Sequence, residues 1–294
     1  MRHVFIINPQ AGKGHTLSHI SRIEEICKAK GIDPIIEITK APGHATEIAK
    51  QYSAEEGIRI YSVGGDGTLN EVVNGIAGSK CSLAVIPSGS GNDFIRSISK
   101  SASWEEVLKK SMEAEAVPVD IGRFDNNFFI NISSAGLDAE IVYNSRRFKK
   151  NPFIPSRFAY LLSIFVTVFG YKSRDMKIML DDSEIHMKTL LVAIANGKFY
   201  GGGMMVAPVA DISDGTFDIC HIEKVGALKV IRLFPWLIKG KHEGIKQVRF
   251  YKSKKVKVKC DGEMSFNVDG ELYRRSEVEF EVVPNALNIV IPQI

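Results

Sequence analysis

Four cysteines are scattered through the 294 residues, Cys27, Cys81, Cys220 and Cys260, and no Cys-x-x-Cys pair occurs. That spacing excludes a structural zinc module and offers no disulfide framework. Long apolar runs are also missing. The longest nearly apolar stretch, residues 158–171 between Arg157 and Lys172, is shorter than the ~20 residues of a spanning helix and reads as a buried or interfacial helix, the core reading being favoured over a membrane contact. Near the N-terminus only Val4-Phe5-Ile6-Ile7 are apolar before Asn8-Pro9, too few for a signal-peptide core. The expectation is a soluble, cytoplasmic chain. No Gly-x-Ser-x-Gly elbow and no His-Glu-x-x-His spacing is present, which sets aside serine-hydrolase and zincin chemistry. Excess charge of one sign is small, +4 overall, and by itself implies no nucleic-acid partner. Its placement is uneven: residues 224–259 hold twelve Lys/Arg and a single acid, Glu243.

What is present is an ordinary globular composition, 45% apolar and 24% charged, with a length that suggests two domains. In the first 120 residues short apolar runs (4–7, 35–38, 58–63, 83–86 and 117–121) alternate with amphipathic stretches, which argues for parallel βαβ units. The first helix is expected from near Leu17, with Leu17, Ile20, Ile23, Ile26 and Cys27 sharing its inner face. Thr68-Leu69-Asn70-Glu71 and Ser103-Trp104-Glu105-Glu106 both fit a capping box. After about residue 125 strand patterns dominate (128–132, 176–180, 190–195, 217–222, 256–260 and 278–283). Glu277-Val278-Glu279-Phe280-Glu281-Val282 alternates strictly, the mark of a half-buried strand.

Three strands of the first half end in glycine-bearing turns: Asn8-Pro9-Gln10-Ala11-Gly12-Lys13-Gly14, Gly64-Gly65-Asp66-Gly67-Thr68, and Pro87-Ser88-Gly89-Ser90-Gly91-Asn92-Asp93. Ligands of an open parallel sheet sit beyond the carboxyl ends of its strands. Glycine lets backbone N–H groups approach phosphate oxygens, and a helix N-terminus adds favourable dipole charge. Three such turns on one edge point to a nucleoside triphosphate. Neither the Walker pattern nor a Gly-x-Gly-x-x-Gly after the first strand occurs, which excludes the two commonest alternatives. Asp66, beside phosphates, would act through Mg²⁺. Asp93 divides evenly between that role and capping the next helix. Residues 211–218 hold three carboxylates around Gly215, a set of oxygen donors suited to Mg²⁺ or Ca²⁺ but readable alone as a solvated turn.

The turn Gly64–Thr68 with Asn70-Glu71-Val72, preceded by Asn8-Pro9 and followed by Gly89-Ser90-Gly91-Asn92-Asp93-Phe94, resembles the diacylglycerol kinase catalytic-domain family. The chain is similar, more closely, to bacterial soluble lipid kinases related to diacylglycerol and sphingosine kinases. The likeness continues through Gly201-Gly202-Gly203-Met204, Ala207-Pro208-Val209-Ala210, Asp214-Gly215-Thr216-Phe217-Asp218, Asp269-Gly270-Glu271 and Pro284-Asn285-Ala286-Leu287, and so covers nearly the whole chain in family order.

The resemblance implies a parallel-sheet α/β domain of NAD kinase/phosphofructokinase type over residues 1–124, with residues 286–294 returning to it. A larger, mainly antiparallel β domain that binds lipid and metal would occupy residues 125–285, with the active site between the two. It implies ATP and Mg²⁺, and a nucleotide on Asn8, Pro9, Gln10, Ala11, Gly12, Thr39, Gly65, Asp66, Gly67, Thr68, Leu69, Asn70, Glu71, Ser90 and Asp93. A metal would be held by the Asp214 side chain and the carbonyls of Asp211 and Thr216. Asp269 and Glu271 are the expected acid pair beside Asp66, either of them the base. The other triplet, Asp261-Gly262-Glu263, reads as a hairpin turn.

The implied acceptor is a diacylglycerol-like lipid met at the inner membrane face, with no nucleic acid involved and a homodimer left open. An NAD kinase-like enzyme acting on a soluble hydroxyl and a non-catalytic nucleotide-binding regulator are the alternatives. Arg146-Arg147-Phe148-Lys149-Lys150 before Pro152-Phe153-Ile154-Pro155, and the basic stripe with its Leu233-Phe234-Pro235-Trp236-Leu237-Ile238 patch, are candidate membrane contacts. The stripe reads equally well as solvated strand faces.

Overall fold

The computed structural model describes residues 1–100, 103–149 and 156–293. Lys150 and the Pro152, Phe153, Ile154 and Pro155 segment of the expected membrane contact lie outside the described residues. Strands β1 (Arg2–Ile7), β2 (Pro34–Ile38), β3 (Ile58–Gly64) and β4 (Ser82–Pro87) pair in parallel in the order β4-β3-β1-β2. β1 is buried after its first residue and β3 throughout, which is why both read as continuous apolar runs.

Helices α1 (Ile20–Ala29), α2 (His44–Ser53) and α3 (Asp66–Ile76) connect these strands, and α4 (Asp93–Ile98) and α5 (Trp104–Glu113) follow β4. α1 starts later than the periodicity predicts. Gly12, Lys13 and Gly14 all take positive φ, so residues 11–19 form tight turns and Leu17 is exposed. Ile23, Ile26 and Cys27 face the core as expected. Ser103 accepts the N–H of Glu106 at 3.5 Å and caps α5. The other expected capping box does not form, because α3 begins at Asp66 and not after Thr68.

Beyond residue 115 the chain forms β5 (Ala116–Phe124), β6 (Asn127–Phe129), β7 (Ile132–Gly136), α6 (Leu137–Lys149), α7 (Ser156–Gly170), β8 (Arg174–Met179) and β9 (Glu184–Ala195). β10 (Phe199–Tyr200) and β11 (Met204–Met205) flank a triple-glycine turn, and β12 (Phe217–Glu223), α8 (Ala227–Ile238), β13 (Val248–Ser253), β14 (Lys255–Val268) and β15 (Glu271–Val290) complete the chain. Strands β13-β12-β9-β7-β14-β15 run antiparallel, and β15 continues the same sheet into β4. β15 therefore spans both halves. Its first residues pair with β14, and Asn288 and Ile289 pair in parallel with Ser82 and Leu83.

Two expectations reverse. The Asp-Gly hairpin is Asp269-Gly270, with φ of 46° and 94°, closing the Val268↔Glu271 pair. Two successive positive-φ residues match the twist of a two-residue hairpin. The Asp261–Glu263 triplet instead lies within β14, where the register with β15 shifts between Lys259 and Met264. The second reversal concerns the apolar run at 158–171. In α7 the small polar Ser163 and Thr167 are buried, whereas Leu162, Phe165, Val166 and Phe169 are exposed. It is not a core helix.

Candidate active site

The three glycine turns meet through their backbones. A Cβ on Gly89 would stand 2.3 Å from Gly65 Cα, and one on Gly12 only 2.4 Å from the carbonyl oxygen of Ser88. Only glycine permits this approach, at Gly12 also because φ is 58°. Asn8, at the end of β1, donates from Nδ2 to Thr68 Oγ1 at 2.9 Å and accepts the N–H of Gln10 at 2.9 Å, which ties the first turn to α3. The first amides of α3 have no intrahelical acceptor and carry the positive end of the helix dipole.

Acids brace this arrangement. Asp66 Oδ1 accepts the N–H of Asp93 at 2.8 Å and of Phe94 at 3.3 Å, capping α4 from the neighbouring turn. Asp93 does not cap its own helix. Its Oδ2 accepts the N–H of Gly202 at 2.8 Å, whereas its Oδ1 is buried with no hydrogen-bond partner. Burial pushes the Asp93 carboxyl above the usual range, and the charge of Asp66 adds to this against the opposing Gly202 amide. Glu71 spans the first turn of α2, accepting the N–H of Gly43 at 2.9 Å and of Ala45 at 3.1 Å.

Asp269, in the β14–β15 hairpin, accepts four hydrogen bonds. Oδ2 takes Ile130 N–H at 2.8 Å and Asn70 Nδ2 at 3.1 Å, and Oδ1 takes the N–H of Asn131 at 3.1 Å and of Ile132 at 3.0 Å. Asp269 is half-buried and Gly270 exposed, but the Asp269 carboxylate is enclosed. That enclosure pushes its carboxyl up to about 6, opposed by the donors.

One cleft of about 1020 Å³ gathers Asn8, Pro9, Gln10, Ala11, Gly12, Thr39, Gly65, Asp66, Gly67, Thr68, Glu71, Ser90, Asp269 and Glu271. Three residues expected at the nucleotide are not on its wall. Leu69 is 2% exposed and packs in the core, Asn70 reaches Asp269, and Asp93 sits behind Asp66. Lys13 and Lys40 also line the cleft and were missed from the sequence, although Lys13 lies between two glycines of the first turn.

The expected metal loop lies outside this cleft, and its Asp214 carboxylate is already engaged. Asp214 Oδ1 accepts the amide and hydroxyl of Thr216 at 3.0 Å and 2.8 Å, and its Oδ2 pairs with the Lys252 ammonium. The Lys252 and Thr216 bonds hold the Asp214 carboxyl below the usual range although burial works the other way. No group of three or more His, Cys, Asp or Glu able to hold a metal occurs among the described residues.

The basic stripe splits in two. On the strands, Arg249 pairs with Glu223, Lys255 with Glu279, and Lys257 and Lys259 with Glu277. The solvated-strand reading holds there. Lys229 and Arg232 instead belong to α8, no residue of which is buried. α8 also covers an apolar cavity lined by Leu137, Ile141, Leu190, Leu233 and Leu237, with Asp138, Asn267 and Gly201 on its wall.

Comparison with known proteins matches two stretches of the chain. Residues 2–124 match the diacylglycerol kinase catalytic domain, and residues 131–291 match the YegS C-terminal NAD kinase beta sandwich-like domain. The diacylglycerol kinase of Bacillus subtilis (strain 168) is 28% identical over 293 residues, covering 98% of this chain and 95% of that protein. A protein named probable lipid kinase YegS-like, from Shewanella frigidimarina, is 27% identical over 295 residues, covering 94% of each. A crystal structure from Bacillus anthracis str. Sterne, provisionally described as a diacylglycerol kinase, superposes with a TM-score of 0.80 at 25% identity, over 99% of this chain and 97% of its own. No helix among the described residues is long and apolar enough to cross a membrane.

Proposed function

The chain belongs to the diacylglycerol kinase catalytic-domain family, ATP-dependent kinases that act on a lipid alcohol, and we propose that it phosphorylates a diacylglycerol-like acceptor in the cleft between its parallel and antiparallel halves. The observation that carries this reading is the meeting of three glycine turns with the Asp269-Gly270-Glu271 hairpin around one cleft. ATP phosphates would lie against the turns at Gly12, Gly65 and Ser90, near the N-terminus of α3, with Lys13 and Lys40 supplying positive charge.

We place Mg²⁺ beside Asp66, where it would relieve the repulsion between Asp66 and the buried Asp93, whose Oδ1 has no hydrogen bond and faces Arg96 Nε at 4.0 Å. The ion would neutralise charge on the transferring phosphoryl group. Both Asp269 oxygens already accept two hydrogen bonds each, so Asp269 positions the hairpin and Asn70. To Glu271, which lines the same cleft, we assign the acceptance of the proton of the attacking hydroxyl.

The apolar cavity under α8 suits the lipid tail. Its wall includes Gly201, and the adjoining Gly202 N–H is bound by Asp93, which is linked in turn to Asp66 on the wall of the phosphate cleft. α7 and α8 present Phe165, Phe169, Leu228 and Trp236 to solvent beside Lys229 and Arg232, a surface suited to an anionic leaflet. This surface supports peripheral association with the inner membrane face.

The test is transfer of labelled γ-phosphate from ATP to diacylglycerol in mixed vesicles with Mg²⁺. Lipid-dependent transfer, lost in Glu271→Gln, is expected. Turnover of NAD with no lipid dependence would favour the soluble-acceptor reading, and ATP binding without turnover on any lipid would favour a regulator.

A further inference from the structure

The turn that precedes β12 gathers Asp211, Asp214 and Asp218 in eight residues, a density of negative charge that calls for a cation. Lys252 supplies one from the chain itself. Its ammonium pairs with Asp214 Oδ2 and stands 3.2 Å from Asp218 Oδ2, and the Asp218 side chain is only 3% exposed. Sheet register aims it there. Lys252 on β13 is directly opposite Asp218 on β12, between the Phe217↔Ser253 and Ile219↔Tyr251 pairs, and directly opposed residues share one face.

Two carboxylate oxygens of the loop are turned onto its own backbone and hydroxyls. Asp211 Oδ1 accepts the amide and hydroxyl of Ser213 at 3.0 Å and 2.7 Å, as Asp214 Oδ1 does those of Thr216. Beneath the loop, Asp120 is 1% exposed. It accepts the N–H of Gly215 at 2.7 Å and of Asn285 at 2.9 Å, and its own N–H donates to the Ile212 carbonyl at 2.7 Å. The loop thus joins β5, β12, β13 and the register shift of β15 through hydrogen bonds and one ammonium.

We propose that Lys252 is the built-in cation of this loop, so that the loop folds without a divalent ion and binds none. Removing the ammonium would leave a buried carboxylate beside a second one with no compensating charge, a state that is strongly destabilised or recruits a cation from solution. A divalent requirement in catalysis would then arise at the nucleotide cleft alone.

Thermal unfolding tests this without ATP or lipid, so the outcome is independent of the kinase reading. All comparisons are made in an Asp66→Asn background, which removes the Mg²⁺ ligand proposed at the cleft, and there the protein with Lys252 intact should melt at the same temperature in EDTA and in millimolar MgCl2. Lys252→Met should melt about 5 °C lower and regain part of that loss in MgCl2 or CaCl2. Adding Asp214→Asn to Lys252→Met should abolish the regain. A Mg²⁺-dependent rise with Lys252 intact that disappears in Asp214→Asn would overturn the proposal, and so would an unchanged melting temperature in Lys252→Met. Should Lys252→Met not fold, Lys252→Arg keeps the charge and is expected to match the protein with Lys252 intact, with no response to Mg²⁺. A Mg²⁺-responsive Lys252→Arg would count against it.

Discussion

Asp66 accepts the backbone N–H of Asp93 at 2.8 Å, so the acid of one glycine turn caps the helix that starts in the next. Structural and chemical roles therefore meet in one side chain, and two substitutions separate them. Asp66→Asn keeps an acceptor oxygen and should melt close to the wild type, while phosphoryl transfer falls on the order of 10²-fold or more. Asp66→Ala should lose activity and also about 1 kcal/mol of cap stability. Both are read by γ-phosphate transfer alongside thermal unfolding. Full activity in Asp66→Asn would remove Asp66 from the chemistry.

Gly89→Ala inserts a methyl group where Gly65 Cα stands 2.3 Å away, so the two turns must separate. The strands beneath are untouched, and the fold should persist by circular dichroism. Misplacing the phosphate-facing backbone should lower kcat/KM for ATP by about 10²-fold. Wild-type kinetics in this variant would mean that the turns do not hold the nucleotide.

Burial pushes the Asp269 carboxyl up to about 6, above the value near 4 of an unfolded chain. Between those values the folded protein binds more protons than the unfolded one. Stability from this group is therefore greatest below about pH 4 and declines as pH rises to about 6, by about 3 kcal/mol at most. Denaturant unfolding across this range should show the decline, and Asp269→Asn should flatten it. The opposite slope would mean that the four donors outweigh burial.

Trp236 is 53% exposed and Phe165 is 54% exposed. Trp236→Ser and Phe165→Ser should weaken sedimentation with anionic vesicles while leaving the melting temperature nearly unchanged. Lys229→Ala and Arg232→Ala should each cost about 1 kcal/mol of vesicle affinity at low salt, and less as salt rises. Lys257→Ala, whose ammonium pairs with Glu277, should leave vesicle affinity as it is.

Much of the fold was legible because the signals are local. Apolar runs at 4–7, 58–63 and 83–86 announce buried parallel strands, and the alternation at 277–282 places Val278, Phe280 and Val282 inward. Glycine turns likewise declare themselves, since only glycine tolerates the close approach at Gly12 and Gly89. Less legible were the partners of side chains. Thr68 and Glu71 have the spacing of a capping box, yet Thr68 bonds Asn8 and Glu71 caps α2. Residues 158–171 are apolar enough for a core, and nothing in the string says that Ser163 and Thr167 turn inward.

By itself the sequence determined the alternation of strands and helices in the first half, the three glycine-bearing turns and the family motifs, because each depends on neighbouring residues or on backbone freedom. Only the tertiary structure decided which residues share the cleft, that Asp269 is saturated by donors from Asn70 and residues 130–132, and that the basic stripe divides between ion pairs and an exposed helix. It also decided that Lys252 occupies the acidic loop. The physical reason is sheet register. Lys252 and Asp218 are 34 residues apart in the chain, and only the pairing of β12 with β13 brings their charges together.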